Sequence, residues 1–198
     1  SPAAQAIVDD PSSVTTEELA AGVAEGEQLI LRGNGSDAVK RNGWSSGRAA
    51  TGSGNDILKR AVGAKFGLGG HQAIENRSYA AQADALGNRI DGAKPLTLLF
   101  AADNRPPCSA FWSLTTYGPD MYLVENAIDR WSISDRTPDL KYDEDGSLTI
   151  TLSYEKPAAP ANWLPVPAGP YLLGLRVYEG HDEVVNCAWF PPALEPAT

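Results

Sequence analysis

Along this chain the spacing of apolar residues changes near residue 76, from one every three or four positions to strict alternation. That change predicts a helical N-terminal section followed by a β-rich body. Thr15-Thr16-Glu17-Glu18 reads as a capping box, in which the Thr15 hydroxyl accepts from a first-turn N–H and Glu18 reaches back to the cap. Leu19, Val23 and Ile30 then lie near one stripe of a helix running to about Leu31, weakened by Gly22 and Gly26. A second helix is expected from Asn55, with Ile57, Leu58, Ala61, Val62 and Phe66 at helical spacing and Lys59, Arg60 and Lys65 opposite. Gly67-Leu68-Gly69-Gly70 ends it. Between the two, residues 33–54 are polar and rich in Gly, Ser and Asn, and read as a long loop pinned at Trp44.

Beyond residue 76 strands are expected at Arg77 to Asp84, Leu96 to Ala101, Ala110 to Tyr117, Trp131 to Ser134, Ser147 to Tyr154, Tyr171 to Tyr178, and Val184 to Trp189. The clearest is the run in which Leu148, Ile150, Leu152 and Tyr154 alternate with Thr149, Thr151, Ser153 and Glu155, after a hairpin-type turn at Asp143-Glu144-Asp145-Gly146. Proline-rich joints at 106–107, 157–170 and 191–192 supply no amide donors and are expected at sheet ends. The fold class is therefore mainly β, a jelly-roll-like antiparallel β-sandwich with two or three N-terminal helices packed against it. The expected division is a loose arm at 1–13, a helical section at 14–76 and a sandwich body at 77–198, all in one compact domain.

Composition narrows the function classes. Hydrophobic residues are 42% and charged residues 21% of the chain, so 198 residues can build a core without metal or disulfide staples. The balance of 16 basic against 25 acidic residues gives a net charge of −9, which repels phosphate backbones and anionic lipid and argues against nucleic-acid and membrane partners. No apolar run is long enough to span a bilayer, and the start lacks the pattern of a signal peptide. An export signal is taken as removed or never present, with a periplasmic or secreted location preferred to a cytoplasmic one. Cys108 and Cys187 both fall in expected strands, and either a bridge between them or two buried thiols fits.

Several motifs fail on context. Gly43-Trp44-Ser45-Ser46-Gly47 matches the nucleophile-elbow pattern, but Lys40-Arg41-Asn42 precedes it where that turn needs a buried strand. Asp143 and Asp145 imitate the start of a calcium loop without its closing Glu. The glycine clusters carry neither the P-loop Lys-Ser/Thr pair nor a dinucleotide fingerprint, and His71 and His181 have no other ligand at metal spacing. No cofactor or metal is expected.

The segment Pro106-Pro107-Cys108-Ser109-Ala110-Phe111-Trp112-Ser113-Leu114-Thr115-Thr116-Tyr117 resembles the signature of the domain-of-unknown-function 1214 family. Leu123-Val124-Glu125-Asn126, Arg130-Trp131-Ser132-Ile133, Asp145 to Ile150, Asn162-Trp163-Leu164-Pro165, Pro167 to Pro170, Leu175-Arg176-Val177-Tyr178 and Trp189 follow in the family's order, and Asn42-Gly43-Trp44, Tyr79 and Asp91-Gly92 match upstream. The resemblance spans about residues 42 to 192. It implies a jelly-roll-like sandwich with flanking helices, often set behind a second domain in longer bacterial proteins, and it implies no reaction. The two cysteines fall where relatives carry other residues.

What remains is a polar and aromatic set: Arg130, Asn162, Trp163, Arg176, Tyr178 and Trp112 as candidates for binding a ligand, with His71, Glu75 and Tyr79 as secondary candidates. Arg176 and Tyr178 are two apart on one strand and share a face, as do Ser113, Thr115 and Tyr117 on another. An inward Arg176 needs a partner, for which Glu125, Asp129 or Asp135 are the candidates. The bland reading of this set is structural ion pairing and Trp-anchored packing. The functional reading preferred here is a small organic or carbohydrate ligand in an aromatic, Arg-lined pocket. The alternatives are a cofactor-independent acid–base enzyme acting on a small anionic substrate, and a homo-oligomerisation module built on the signature Trp and Pro residues.

Overall fold

The computed structural model of the protein describes residues 7–47, 54–67 and 69–197. The first six residues of the expected arm, Gly52 and Leu68 lie outside them. Two compact units form, residues 1–36 with 52–70 and residues 37–51 with 71–198.

In the first unit, helix α1 spans Thr16–Gly33 and opens with the expected capping box, Thr15 N donating to Glu18 Oε2 at 2.9 Å and Glu18 N to Thr15 Oγ1 at 3.2 Å. The cap bonds hold the Glu18 carboxyl below its ordinary pKa, the Thr15 amide contributing most. Helix α2 spans Ile57–Phe66, and its N-cap Asp56 accepts from Lys59 N at 2.9 Å. The two helices pack together where Gly33 closes α1, because a Cβ there would sit 2.6 Å from Val62 Cγ2.

The second unit holds the β body. The expected loop at 33–54 contains a hairpin instead: β1, Ala38–Arg41, pairs antiparallel with β2, Trp44–Gly47. Asn42 and Gly43 make its two-residue turn with φ of 55° and 80°, the positive pair that a tight hairpin requires. The polarity that marks a loop in sequence is that of an edge strand, since only Trp44 and Ser46 of β2 are buried and β1 has no partner beyond.

Further on come β3 (Asn76–Ala81), β4 (Leu96–Phe100), β5 (Cys108–Tyr117), β6 (Ser132–Ser134), β7 (Leu148–Ser153), β8 (Trp163–Pro165), β9 (Leu172–Gly180), helix α3 (Asp182–Val185) and β10 (Leu194–Pro196). One sheet has the order β1-β2-β3-β9-β5-β6 and the other β10-β4-β7-β8. The class is mainly β, as expected, with three differences. Residues expected as a strand at Val184 to Trp189 begin as α3, where Gly180 leaves room for Val184 and the Ala188 and Trp189 amides return to Glu183 O at 2.7 and 2.8 Å. Second, β8 lies inside the proline-rich stretch and pairs parallel with β7. Third, β10 lies past the last expected strand. Both extra strands are sheet edges that contain or end on proline, positions where a missing N–H costs no ladder bond.

One apolar cluster joins the inner faces of the two sheets. Tyr79, Trp112, Leu114, Leu173, Leu175 and Val177 come from the first, and Leu98, Phe100, Leu148, Ile150, Leu152 and Leu164 from the second. Strands β7 (Leu148 to Leu152) and β9 (Leu172 to Tyr178) bury alternate residues, as the period of two dictates. Tyr171 enters this core with its hydroxyl out of reach of solvent and, among the described residues, without a hydrogen-bond partner. Tyr171→Phe is therefore expected to stabilise the protein by about 1 kcal/mol, because an unbonded buried hydroxyl carries an uncompensated desolvation cost. Urea titration of the two proteins checks this, and a loss of more than about 1 kcal/mol would show that the hydroxyl is bonded.

Candidate functional site

Strand β9 lies between β3 and β5, and its alternation splits it into two faces. Leu173, Leu175 and Val177 enter the core, while Leu172, Gly174, Arg176 and Tyr178 face away from it, half-buried. Register supplies their neighbours: Ser78 and Ser113 flank Arg176, Asn76 and Phe111 flank Tyr178, and Ala80 and Thr115 flank Gly174. Beyond Ser113 lies Ser134 of β6. The outer face of this sheet thus carries hydroxyls, arginines and two groups of rings.

At one end Phe111 and Tyr178 stack with centroids 4.3 Å apart and planes at 12°. The Arg136 guanidinium lies 4.3 Å from the Phe111 centroid, and His71 meets Tyr178 edge-on at 6.2 Å. His71 Nδ1 is 3.8 Å from Glu75 Oε2, both side chains more than half exposed. At the other end Arg176 lies 5.6 Å from the Tyr117 ring centroid. Gly174 makes this packing fit, since a Cβ there would stand 3.3 Å from Tyr117 Cε2 and 3.5 Å from Arg176 NH1. Among the described residues no carboxylate is within ion-pair distance of Arg176 and no acceptor takes its N–H groups. The partners considered for it are engaged elsewhere or apart, Asp135 Oδ1 accepting from Trp112 N at 3.2 Å.

The other candidates are not on this face. Trp112 points from β5 into the core, 5.8 Å from Phe100. Tyr79 is buried edge-on to Trp189 and Phe190, and its hydroxyl donates to Trp189 O at 3.2 Å. Glu75 and Tyr79, four apart, would meet on a helix; residues 76–81 are a strand, and only Glu75 stays with His71.

Arg130, Asn162 and Trp163 form a separate group at the β7–β8 edge. Arg130 NH1 donates to Trp163 O at 2.9 Å, and the Trp163 indole donates to Ser153 O at 3.0 Å. Asn162 Oδ1 accepts from Lys141 N at 2.9 Å, while its Nδ2 donates to Lys141 O at 2.7 Å and Thr149 O at 2.9 Å. Both amide hydrogens of Asn162 are spent on main chain.

One charged residue that sequence reasoning missed is Arg77. It is 95% buried on the core face of β3, donates to the Gly47 and Val185 carbonyls, and leaves its Nε without a partner among the described residues. The signal was its parity with Tyr79, two positions on. Cys108 and Cys187 are both free, and burial, more than Asp135 nearby, pushes the Cys108 thiol up. Among the described residues no three His, Cys, Asp or Glu side chains are grouped as a metal would need. Ser45 and Ser46 of the elbow-like motif lie on β2 and donate to the carbonyls of Ala80 and Ser78 at 3.4 and 2.9 Å, not at a strand-to-helix turn.

Among the described residues two clefts bear on these candidates. One of about 350 Å³ is lined by Asp84, Asn88, Arg89, Asp91, Lys94 and neighbouring apolar residues. The other, about 200 Å³, is lined by Gln82, Arg89, Pro119, Met121, Tyr171 and Leu172. None of the residues singled out in sequence lines either cleft, but Leu172 belongs to the same face of β9 as Arg176.

A family model described as a protein of unknown function, DUF1214, matches residues 75–182. Among solved structures the chain is similar to the VPA0106 protein from Vibrio parahaemolyticus, at 25% identity over 93% of this chain with a TM-score of 0.64. It is also similar to an uncharacterised protein from Burkholderia cenocepacia, at 17% identity over 87% of this chain with a TM-score of 0.41. The chain spans 46% of the length of each of these two proteins. No curated protein matches it.

Proposed function

The chain belongs to the DUF1214 family, a family of unknown function, and on the geometry of its own residues we propose that the outer face of the six-stranded sheet binds a small organic anion through Arg176. The observation that carries this reading is the half-buried guanidinium with no carboxylate and no hydrogen-bond acceptor among the described residues. A partly desolvated cation without a counter-charge is costly to keep, and a bound carboxylate returns that cost by accepting two parallel N–H bonds. The Tyr117 ring lies beside the guanidinium, Gly174 leaves room for both to pack over its strand position, and Ser78 and Ser113 stand on the flanking strands as uncharged hydrogen-bonding groups.

The test is calorimetric titration of short organic carboxylates into the whole chain and into Arg176→Met. Hydrogen bonds to a charged group contribute about 1.5–3 kcal/mol, so the variant is expected to bind roughly 100-fold more weakly. Its thermal midpoint should be equal or higher, because methionine keeps the packing on Tyr117 and removes an unpaired charge. Binding by the native chain should weaken as salt is raised. Carboxylate affinity unchanged by the substitution would overturn the reading.

A further inference from the structure

The head of Arg176 does not lie over its own strand position. Its NH1 is 3.5 Å from where a Cβ on Gly174 would be, so the charge is carried back along β9 toward Leu172. Leu172 is the next residue on that face, one step of about 7 Å at the rise of a strand. It also lines the 200 Å³ cleft, as does Arg89. Tyr117 is paired with Leu172 in register and lies beside Arg176, so one ring neighbours both the guanidinium and a residue of the cleft.

Arg89 is as free of counter-charge as Arg176. The two carboxylates closest to it in sequence are committed to their own turns. Asp84 Oδ1 accepts from Leu86 N at 2.9 Å and Asn88 N at 2.8 Å, and its Oδ2 accepts from Asn88 Nδ2 at 3.0 Å. Those bonds, the Asn88 side chain first, hold the Asp84 carboxyl below its ordinary pKa. Asp91 Oδ1 accepts from Ala93 N at 2.9 Å. Among the described residues neither is within ion-pair distance of Arg89, whose backbone is fixed by the bridge to Ala83.

We infer that the ligand of this face carries two carboxylates, one held by Arg176 and the other reaching into the cleft beside Arg89. This rests on the assignment of Arg176 as the anion anchor and adds the class of compound. Size agrees with it. At water's share of about 30 Å³ per molecule, the cleft takes six or seven non-hydrogen atoms. A straight diacid of five or six carbons has that many once the carboxylate on Arg176, outside the cleft, is set aside. Apolar lining from Met121, Pro119 and Leu172 suits its methylene chain.

The experiment is calorimetric titration of succinate, glutarate and adipate, with butyrate, pentanoate and hexanoate as length-matched monoacids, into the whole chain and into Arg89→Gln and Arg176→Met. The diacids are expected to bind about tenfold more tightly than the monoacids, the scale of one charge-assisted contact at an exposed site. In Arg89→Gln the diacids should fall to the level of the monoacids while the monoacids are unchanged, and in Arg176→Met both should be lost. Arg89 is exposed, so its substitution leaves the fold intact. Monoacids and diacids bound alike by the native chain, or a diacid preference that survives Arg89→Gln, would overturn the two-carboxylate inference and leave Arg176 as an anchor for single anions. Binding of neither series would overturn both.

Discussion

Asn162→Ala is expected to destabilise the β body by about 3 kcal/mol and to lower its thermal midpoint by roughly 9 °C for a domain of this size. Asn162 is 8% exposed and serves three main-chain groups at once, the Lys141 amide, the Lys141 carbonyl and the Thr149 carbonyl. Truncation leaves two acceptors and a donor in the space of one side chain, with Thr149 part-buried inside a paired strand. Its own carbonyl accepts from Thr151 N at 3.1 Å, so the residue also starts the parallel pairing of β7 with β8. Asn162→Asp should be worse, because it turns both donors into charge facing two carbonyls. Guanidinium titration with unchanged slope checks the magnitude. Carboxylate affinity at Arg176 should be unaffected, since that residue belongs to the other sheet and faces away from the shared core. A folded, fully stable Asn162→Ala that lost carboxylate binding would return Asn162 to the functional set.

The contrast between Asn162 and Arg176 shows which part of the candidate site was legible. Both stood in the same group of polar residues in the family-like segments. For Arg176 and Tyr178 the period of two in β9 settled that they share a face, while the inward or outward direction was left open and is decided by the burial of Leu175 and Val177 in the structure. What the period cannot supply is the neighbouring strand. Ser78 and Phe111 reach Arg176 and Tyr178 through pairings between segments far apart in the chain, and that register depends on the whole sheet. Asn162 and Arg130 stand outside or at the end of short strands, where no alternation fixes direction, and they turn to main chain. Arg89 lies in a turn set by Asp84 and Asn88, so its place beside Leu172 follows from tertiary closure alone.

The same physics separates the elements read correctly from those missed. A capping box and a sustained alternation are local, and α1 and β7 follow from them. The β1–β2 hairpin had a local signal too, Asn42-Gly43, but its strands lack alternation because one is an unpartnered edge. For β8 and β10 the prolines point away from strand, and only their edge position makes them compatible. Residues 184–189 have strand-like composition, yet Gly180 admits Val184 close to β9 and the chain turns helically beneath it.

Above pH 10 the protein is expected to lose stability through two buried phenols. Burial pushes the pKa of Tyr79 upward, with the nearby Cys187 adding to the effect and Arg77 opposing it. Tyr171 is raised by burial and then by Asp91. Both have folded pKa values above the unfolded value, so below about pH 10 folded and unfolded chains hold the same phenolic protons and no stability depends on them. As pH rises beyond that, the unfolded chain releases its protons while the folded chain keeps them, and each tyrosine costs about 1.4 kcal/mol at pH 11 and about 2.7 kcal/mol at pH 12. Together they remove about 5 kcal/mol by pH 12, a large share of what holds a domain of this size. The Cys108 thiol, also raised by burial, acts in the same direction. Single variants isolate the phenols: Tyr79→Phe and Tyr171→Phe should each remove about half of the tyrosine-linked slope of stability against pH. Phenolate absorbance followed through alkaline unfolding should show the matching loss of one proton from the unfolding step in each variant. They should differ at neutral pH, where Tyr79→Phe gives up the bond to Trp189 O and Tyr171→Phe gives up none. An unchanged alkaline slope in both variants would mean that the two phenols ionise within the folded protein.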